Sequence, residues 1–161
     1  MCKLNKLFKI GYGTKFDLKQ MKETIVGAPG SVAFVGRSGE RNGVVAYVEE
    51  FQFIKPLPAG FITVALGGTA LASFIQSKPF YTAQNIAVLE PLTKMTLETK
   101  LYFCSCIEAN RFRYSTFGRE ANRTLKYLLV PALESVPAWV ESCSRLAIEE
   151  LKADLSELHC G

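Results

Sequence analysis

The chain has 161 residues, 48% of them apolar and 21% charged, which suits one globular domain with its own core and excludes the disordered and collagen-like classes. Its net charge of +4 is unevenly placed: residues 1–26 hold six basic groups against two acids, 27–131 eleven against seven, and 132–161 two against six. A basic body and an acidic tail point to two surfaces, one for a polyanion and one for a protein.

Basic and apolar residues alternate in "KLNKLFKI" (3–10), which leads into a turn-rich loop, Gly11-Tyr12-Gly13-Thr14-Lys15, and then a helical or irregular "FDLKQMKE". "SVAFVGRSGERNGVVAYVEEF" predicts strand, loop, strand, with Asn42-Gly43 as the turn signal and Arg37 and Arg41 riding on the hairpin tip. Residues 56–77 carry no charge, and a bilayer span needs about 20 apolar residues. Two prolines, Gly60 and the central Gly67-Gly68 pair instead predict two buried strands, "FITVAL" and "ALASFIQ", joined by a turn. No membrane association is expected. "KPFYTAQN" reads as a loop carrying an aromatic pair, and "IAVLEP" as a strand closed by Pro91.

The period then changes. Thr96 caps a helix with Leu97, Leu101, Cys104 and Ile107 at helical spacing, running to about Phe112. After Gly118 a second helical piece, "REANRTLKYLL", stops before Pro131. From Trp139 to His159, Val140, Cys143, Ala147, Leu151, Leu155 and Leu158 recur at three- and four-residue steps with glutamates elsewhere. This is an amphipathic acidic helix whose stripe packs back on the domain or meets a partner, and its last residues fit a short heptad seam. The predicted class is α+β: a mixed, mainly antiparallel twisted sheet with hairpins in the N-terminal two-thirds, then helices, the last of them amphipathic.

Five cysteines (Cys2, Cys104, Cys106, Cys143, Cys160) without CxxC spacing, and no signal-peptide pattern, make a reducing cytoplasm the expected location. Cys104 and Cys106 point to different helix faces and read as buried small apolar residues rather than metal ligands. The only histidine is His159 and the only aspartates are Asp17 and Asp154, so triads, histidine metal sites and magnesium-binding acid clusters find no material. Glu98-Thr99-Lys100 matches half of a nuclease motif but starts a helix and reads as a solvated turn; a nuclease would need Glu98 and Asp17 to meet at a metal. None of the glycine-rich stretches completes a dinucleotide or phosphate-loop fingerprint. No catalytic residue, cofactor or metal is expected.

What remains is a repeated basic, amide and aromatic kit. Arginine offers a planar fork to phosphate or to guanine O6 and N7, and asparagine or glutamine matches adenine. The kit occurs as Arg37, Ser38, Arg41 and Asn42 on the hairpin tip and as Tyr81, Thr82, Gln84 and Asn85 in the following loop. It recurs in "EANRFRYSTFGREANRTLKYLLVP" (108–131), where Glu-Ala-Asn-Arg appears twice, twelve residues apart, too short a period for a solenoid unit. The alternative is that these are solvated arginines and core aromatics.

Together "YGTKFDLKQM", "FVGRSGERNGVVAYV", "PAGFITVALGG", "ALASFIQSKPFYTAQNIAVLEP", "KLYFCSCIEANRFRYSTFGREANRTLKYLLVPAL" and "PAWV" cover nearly everything from about residue 8 to residue 140. In this order they resemble the target recognition domain of restriction-modification specificity subunits, type I and type IIB. The resemblance implies a non-catalytic reader of one half of a bipartite duplex DNA site, with methyl transfer and cleavage left to other subunits. It implies a recognition domain at 1–138 and, at 139–161, the start of a helix that docks methyltransferase subunits, a restriction subunit or a second copy as a homodimer. Carried over by motif, the DNA-facing residues are Tyr12, Thr14 and Lys15; Arg37 and Asn42; Tyr81 and Thr82; and Asn110, Arg111, Arg113, Tyr114, Arg119, Asn122, Arg123 and Thr124, with Ser38, Arg41 and Gln84 added from the kit. Positions common to a family that reads many sequences serve phosphate contact or folding, and base choice falls to the variable tips. This chain departs in two ways. Arg41 stands where relatives usually carry a second asparagine, and a full subunit carries two recognition domains where this chain has one, which leaves a dimerising half-subunit, a fragment or a stand-alone interaction protein as readings.

Overall fold

A computed structural model describes residues 1–114 and 121–158, with the side chains of all but 151 and 153–158. Among them the strands run β1 (Cys2–Lys3), β2 (Phe8–Tyr12), β3 (Glu23–Thr24), β4 (Ser31–Val35), β5 (Val44–Glu49), β6 (Ile62–Ala65), β7 (Ser73–Ile75), β8 (Phe80–Thr82), β9 (Ile86–Pro91) and β10 (Leu129–Val130). Helix α1 (Leu97–Glu108) separates β9 from β10, and α2 (Trp139–Leu158) comes last. The α+β class and the mainly antiparallel pairing are as expected. The strands divide between two four-stranded sheets, β2-β9-β6-β7 and β3-β5-β4-β8, and a β1-β10 pair; the β4–β8 pairing is parallel.

Apolar residues on one face of the first sheet, among them Phe8, Ile62, Val64 and Leu89, bury against α1, where the Phe8 and Phe103 rings meet edge to face at 5.7 Å. Ala33, Val35 and Phe80 of the second sheet pack against Val88 of the first. The other face of the second sheet, with Phe34, Val48 and Tyr81, is covered by Phe16, Leu18 and Met21. These contacts are the hydrophobic driving force of the fold, at about 25 cal/mol per Å² of apolar surface removed from water.

Thr96 caps α1 as predicted, its hydroxyl accepting from the Thr99 amide at 3.2 Å. The buried face differs from expectation: Thr99, Phe103, Cys104 and Ile107 point inward, while Leu97 and Leu101 are 57% and 51% exposed. Apolar residues line two sides of this helix, and the larger Phe103 ring takes the core. Burial pushes the Cys104 thiol up to about 12, in keeping with its reading as a small apolar residue.

Three expected elements are replaced. Phe80–Thr82 is strand β8 rather than loop, paired at long range with β4. The helix ends at Glu108, and Arg111–Tyr114 form one 3-10 turn. Among the described residues of the expected second helical piece there is no α-helix: 122–124 turn, Leu125–Tyr127 make a single 3-10 turn, and Leu129–Val130 extend to pair with β1. The chain there satisfies the backbone of the N-terminus, with the Leu4 amide donating to the Leu128 carbonyl at 2.9 Å, and tertiary pairing overrides helix propensity. The first Glu-Ala-Asn-Arg copy thus ends α1, and Asn122 and Arg123 of the second lie in a turn; residues 115–120, with Gly118 and Arg119, lie outside the described residues.

Among the described side chains, helix α2 is anchored at its start. Val140 is buried, and the Ser144 hydroxyl donates to the Glu98 carboxylate, holding that group below its usual range. Cys143, Leu146, Ala147 and Ile148 are exposed. Among the described residues no helix is long and apolar enough to cross a membrane.

The β4–β5 hairpin is held to the first sheet by a buried amide. Gln76, 2% exposed, donates to the Asn42 carbonyl at 2.9 Å and to the Thr63 hydroxyl at 2.8 Å, while the Asn42 side chain donates to the Ile75 carbonyl at 2.8 Å. Gln76→Ala is expected to destabilise the fold by about 2–4 kcal/mol, because it leaves buried acceptors unsatisfied and opens a cavity. A lower urea midpoint at unchanged slope checks this.

Candidate nucleic-acid interface

The ends of β2 and β6, the β8–β9 turn and the β4–β5 tip meet at one edge of the molecule. The Thr14 hydroxyl accepts from the Thr82 amide at 2.8 Å and donates to the Thr82 carbonyl at 3.2 Å, and the Phe16 amide donates to that carbonyl at 2.8 Å. Gly13 packs so closely that an added Cβ would collide with the Thr82 side chain. The Gly13 amide reaches the Ile86 carbonyl, Leu66 that of Asn85, and Ala121 that of Leu66. Segments far apart in sequence are thus set side by side.

This edge carries two concavities. The first, about 700 Å³ and wide open, is lined by Arg37 and Ser38 from the hairpin tip, Gln84 and Asn85 from the β8–β9 turn, and Asp17 and Leu18. It gathers a guanidinium, a hydroxyl and two amides on one surface, a combination able to bond phosphate oxygens and base edges. The Gly67-Gly68 turn supports the tip from beneath: Gly68 has φ +67, and a Cβ there would stand 3.1 Å from the Arg37 carbonyl.

The second concavity, about 640 Å³, lies between β2 and the 122–127 turn, with Lys9, Tyr12, Arg123, Lys126 and Tyr127 around a floor that includes Phe8, Leu66 and Leu125. The Lys15 ammonium stands 4.3 Å from the Tyr12 ring centre, and those of Lys126 and Lys3 stand 4.9 and 5.4 Å from that of Tyr127. Lys9 also pairs with Glu90 at 3.4 Å. Lys3, Lys9, Lys126 and Tyr127 were missed by motif; the alternation in "KLNKLFKI" is the one signal that pointed to a basic edge here.

The structure sorts the sequence-derived residues by where they point. Tyr12, Lys15, Arg37, Arg41, Gln84, Arg113 and Arg123 are exposed, and the four arginines make no ion pair among the described residues. Ser38 and Asn122 are half-buried at the concavities. Tyr81 and Thr82 are corrected: both are fully buried. The Tyr81 hydroxyl donates to the Ile54 carbonyl at 2.6 Å and accepts from the Phe51 amide at 3.0 Å, and burial raises its pKa. Asn42 is committed to the Gln76 clamp. Asn110 caps the end of α1 by donating to the Cys106 carbonyl at 2.9 Å, and Arg111 donates to the Ala70 carbonyl at 3.0 Å beside Glu108. The Tyr114 and Thr124 hydroxyls bond each other at 2.7 Å across the undescribed residues 115–120. Arg119 and the side chains of Leu151, Leu155 and Leu158 lie outside the described set. In the Glu98-Thr99-Lys100 triplet, Glu98 accepts from Ser144, and Lys100 donates to the Gly60 carbonyl at 2.8 Å.

Fold and edge define a two-sheet domain with a basic, amide-bearing edge and an outgoing helix. The chain belongs to the family of type I restriction-modification DNA specificity domains, whose model matches residues 1–129. The fold is similar to that of the type I restriction-modification S subunit from M. genitalium, at TM-score 0.60 and 15% identity over 98% of this chain and 42% of that one. It is likewise similar to a chain from a structure described as the basis of complex assembly and conformational transition of the type I R-M system, at TM-score 0.62, 13% identity, and 98% and 42% coverage. The HsdS subunit from Thermoanaerobacter tengcongensis matches at TM-score 0.52 and 13% identity, over 98% of this chain and 38% of that one. The chain thus spans about two-fifths of the length of these structures. The comparison with curated proteins gave no match.

Arg41 has φ +51, in the left-handed region that asparagine tolerates and arginine disfavours. Arg41→Asn is expected to leave stability unchanged or raise it by up to about 1 kcal/mol, read as the urea midpoint.

Proposed function

We propose that this chain recognises one half of a bipartite site on double-stranded DNA, acting in the cytoplasm as the non-catalytic specificity module of a restriction-modification system. Residues 1–138 do the reading, and 139–161 begin the helix that docks methyltransferase subunits. The observation that carries this reading is the convergence of Lys15, Arg37, Ser38 and Gln84, from three separate loops, on one edge. Exposed Arg113 and Arg123 extend the positive surface and serve the phosphates. Arg41, exposed on the hairpin tip at φ +51, serves base choice, since strain at an exposed tip position points to use rather than folding. Methyl transfer and cleavage fall to other subunits. A selection from random duplexes, run with and without the methyltransferase partner, tests the proposal; a flat base distribution in both would overturn it.

A protein-interaction role for α2 is favoured by its geometry. After Ser144 its described apolar side chains, Leu146, Ala147 and Ile148, are exposed, which supports a helix that meets a methyltransferase subunit, a restriction subunit or a second copy through the sequence stripe of Val140, Cys143, Ala147, Leu151, Leu155 and Leu158. A homodimer through this helix would restore two-fold symmetry and a bipartite site.

Arg113→Ala or Arg119→Ala is expected to weaken binding to every duplex and to reduce the salt slope by about 0.9 for each phosphate no longer neutralised, while Arg41→Ala shifts base preference at a tip-facing position. Fluorescence anisotropy across a salt series reads both effects. The double change Leu151→Glu with Leu155→Glu is expected to abolish association in sedimentation velocity while leaving affinity for a single half-site intact.

A further inference from the structure

The second concavity has a composition that backbone grip alone does not require. A surface that only neutralises phosphates needs cations; this one has a floor of buried carbon, from Phe8, Leu66 and Leu125, beneath two half-exposed tyrosines. Its cations come from chain segments far apart in sequence: Lys9 on β2, Arg123 and Lys126 on the 122–127 turn, and Lys15 and Lys3 laid over the tyrosine rings. The Asn5 and Asn122 amides also line it, and Glu90, paired with Lys9, is the acid that this strand pairing sets beside it. A volume of about 640 Å³ falls within the range of small-ligand and cofactor sites. Aromatic walls suit the π-face of any base, amides suit its edge, and ammonium and guanidinium groups suit its phosphates.

We infer that the cavity between β2 and the 122–127 turn binds a nucleoside phosphate, with the base against Tyr12 and Tyr127 and the phosphates on Lys9, Arg123 and Lys126. The same chemistry has two sources: a free nucleotide, or one nucleotide turned out of the bound duplex. The second source rests on the DNA reading above; the first does not.

The test uses the full chain and three probes: a fluorescent deoxyadenosine triphosphate, inorganic pyrophosphate, and a duplex with one bulged nucleotide beside its fully paired parent. Wild type is expected to bind the triphosphate more tightly than pyrophosphate, or the bulged duplex more tightly than the paired one; the first result assigns the site to a free nucleotide and the second to a strand. Lys126→Glu should lower the affinity for the preferred probe by about tenfold or more. Tyr127→Ala should remove the preference for the base-bearing probe without changing pyrophosphate binding. Both positions are exposed, and an unchanged thermal midpoint confirms folding, with Arg123→Glu as the second charge variant. Equal binding of triphosphate and pyrophosphate together with equal binding of both duplexes overturns the inference, as does a Tyr127→Ala variant that keeps the preference. Because the nucleotide arm contains no DNA, its result stands apart from any failure of duplex recognition.

Discussion

The arrangement of the basic edge depends on Thr82. This residue ends β8, a strand of three residues buried in the second sheet, and only the Ala83–Asn85 turn separates it from β9 in the first. Its amide and carbonyl are both taken by the Thr14 hydroxyl and the Phe16 amide, and its own hydroxyl accepts from the Lys15 amide at 3.4 Å. Each bond is worth about 1 kcal/mol net, but a buried group left without its partner costs about 1–3 kcal/mol, so the clamp resists partial opening more than its sum implies. Because β2 pairs with β9 up to Tyr12, one residue sets the relative positions of Tyr12, Lys15 and Gln84. Only glycine fits at position 13, which lets the two backbones approach.

With that edge fixed, the arginines divide by what they can gain. Arg111 lies beside Glu108 at 3.8 Å with both side chains partly exposed, and such a pair is worth about 0–1 kcal/mol. Its better bond is to the Ala70 carbonyl, which steadies the turn under the hairpin tip. Arg37, Arg41, Arg113 and Arg123 have their charge in water instead. Guanidinium surface kept hydrated and beyond reach of described carboxylates keeps its full capacity for phosphate, where release of counterions rather than contact strength supplies the affinity.

How much of this could be read in the chain depends on the range of the signal. Elements specified by neighbours were legible: the Asn42-Gly43 hairpin, the Thr96 cap, the two apolar runs joined at Gly67-Gly68, and the amphipathic tail. Strands β8 and β10 were not, because each is two or three residues long and exists through a partner distant in sequence, β4 for one and β1 for the other. The site shows the same limit. Residue type marked candidate positions but not their direction: Tyr81, Thr82, Asn42 and Asn110 turn inward to hold backbone, while Lys9, Lys126 and Tyr127 are brought together by the β2–β9 and β1–β10 pairings. Family resemblance could not supply direction either, since a motif shared by proteins that read different DNA preserves clamps as readily as contacts.

The clamps also tie the basic edge to the outgoing helix. Asn42 at the hairpin tip bonds Ile75 and Gln76 at the end of β7; the β7 amide of Ser73 donates to Glu108 of α1 at 3.0 Å; Lys100 of α1 holds Gly60 beside Gln76; and Glu98 at the start of α1 accepts from Ser144 of α2. Contiguity of this kind is not evidence of signalling, which needs an element with two arrangements. What it does provide is orientation: the direction in which α2 leaves the domain is set relative to the direction in which Arg37 and Arg41 face. On the proposed half-site reading that relation is the functional quantity, because the spacing between two half-sites on a duplex is fixed by the geometry joining two such edges, and a loosely tethered helix would lose that spacing.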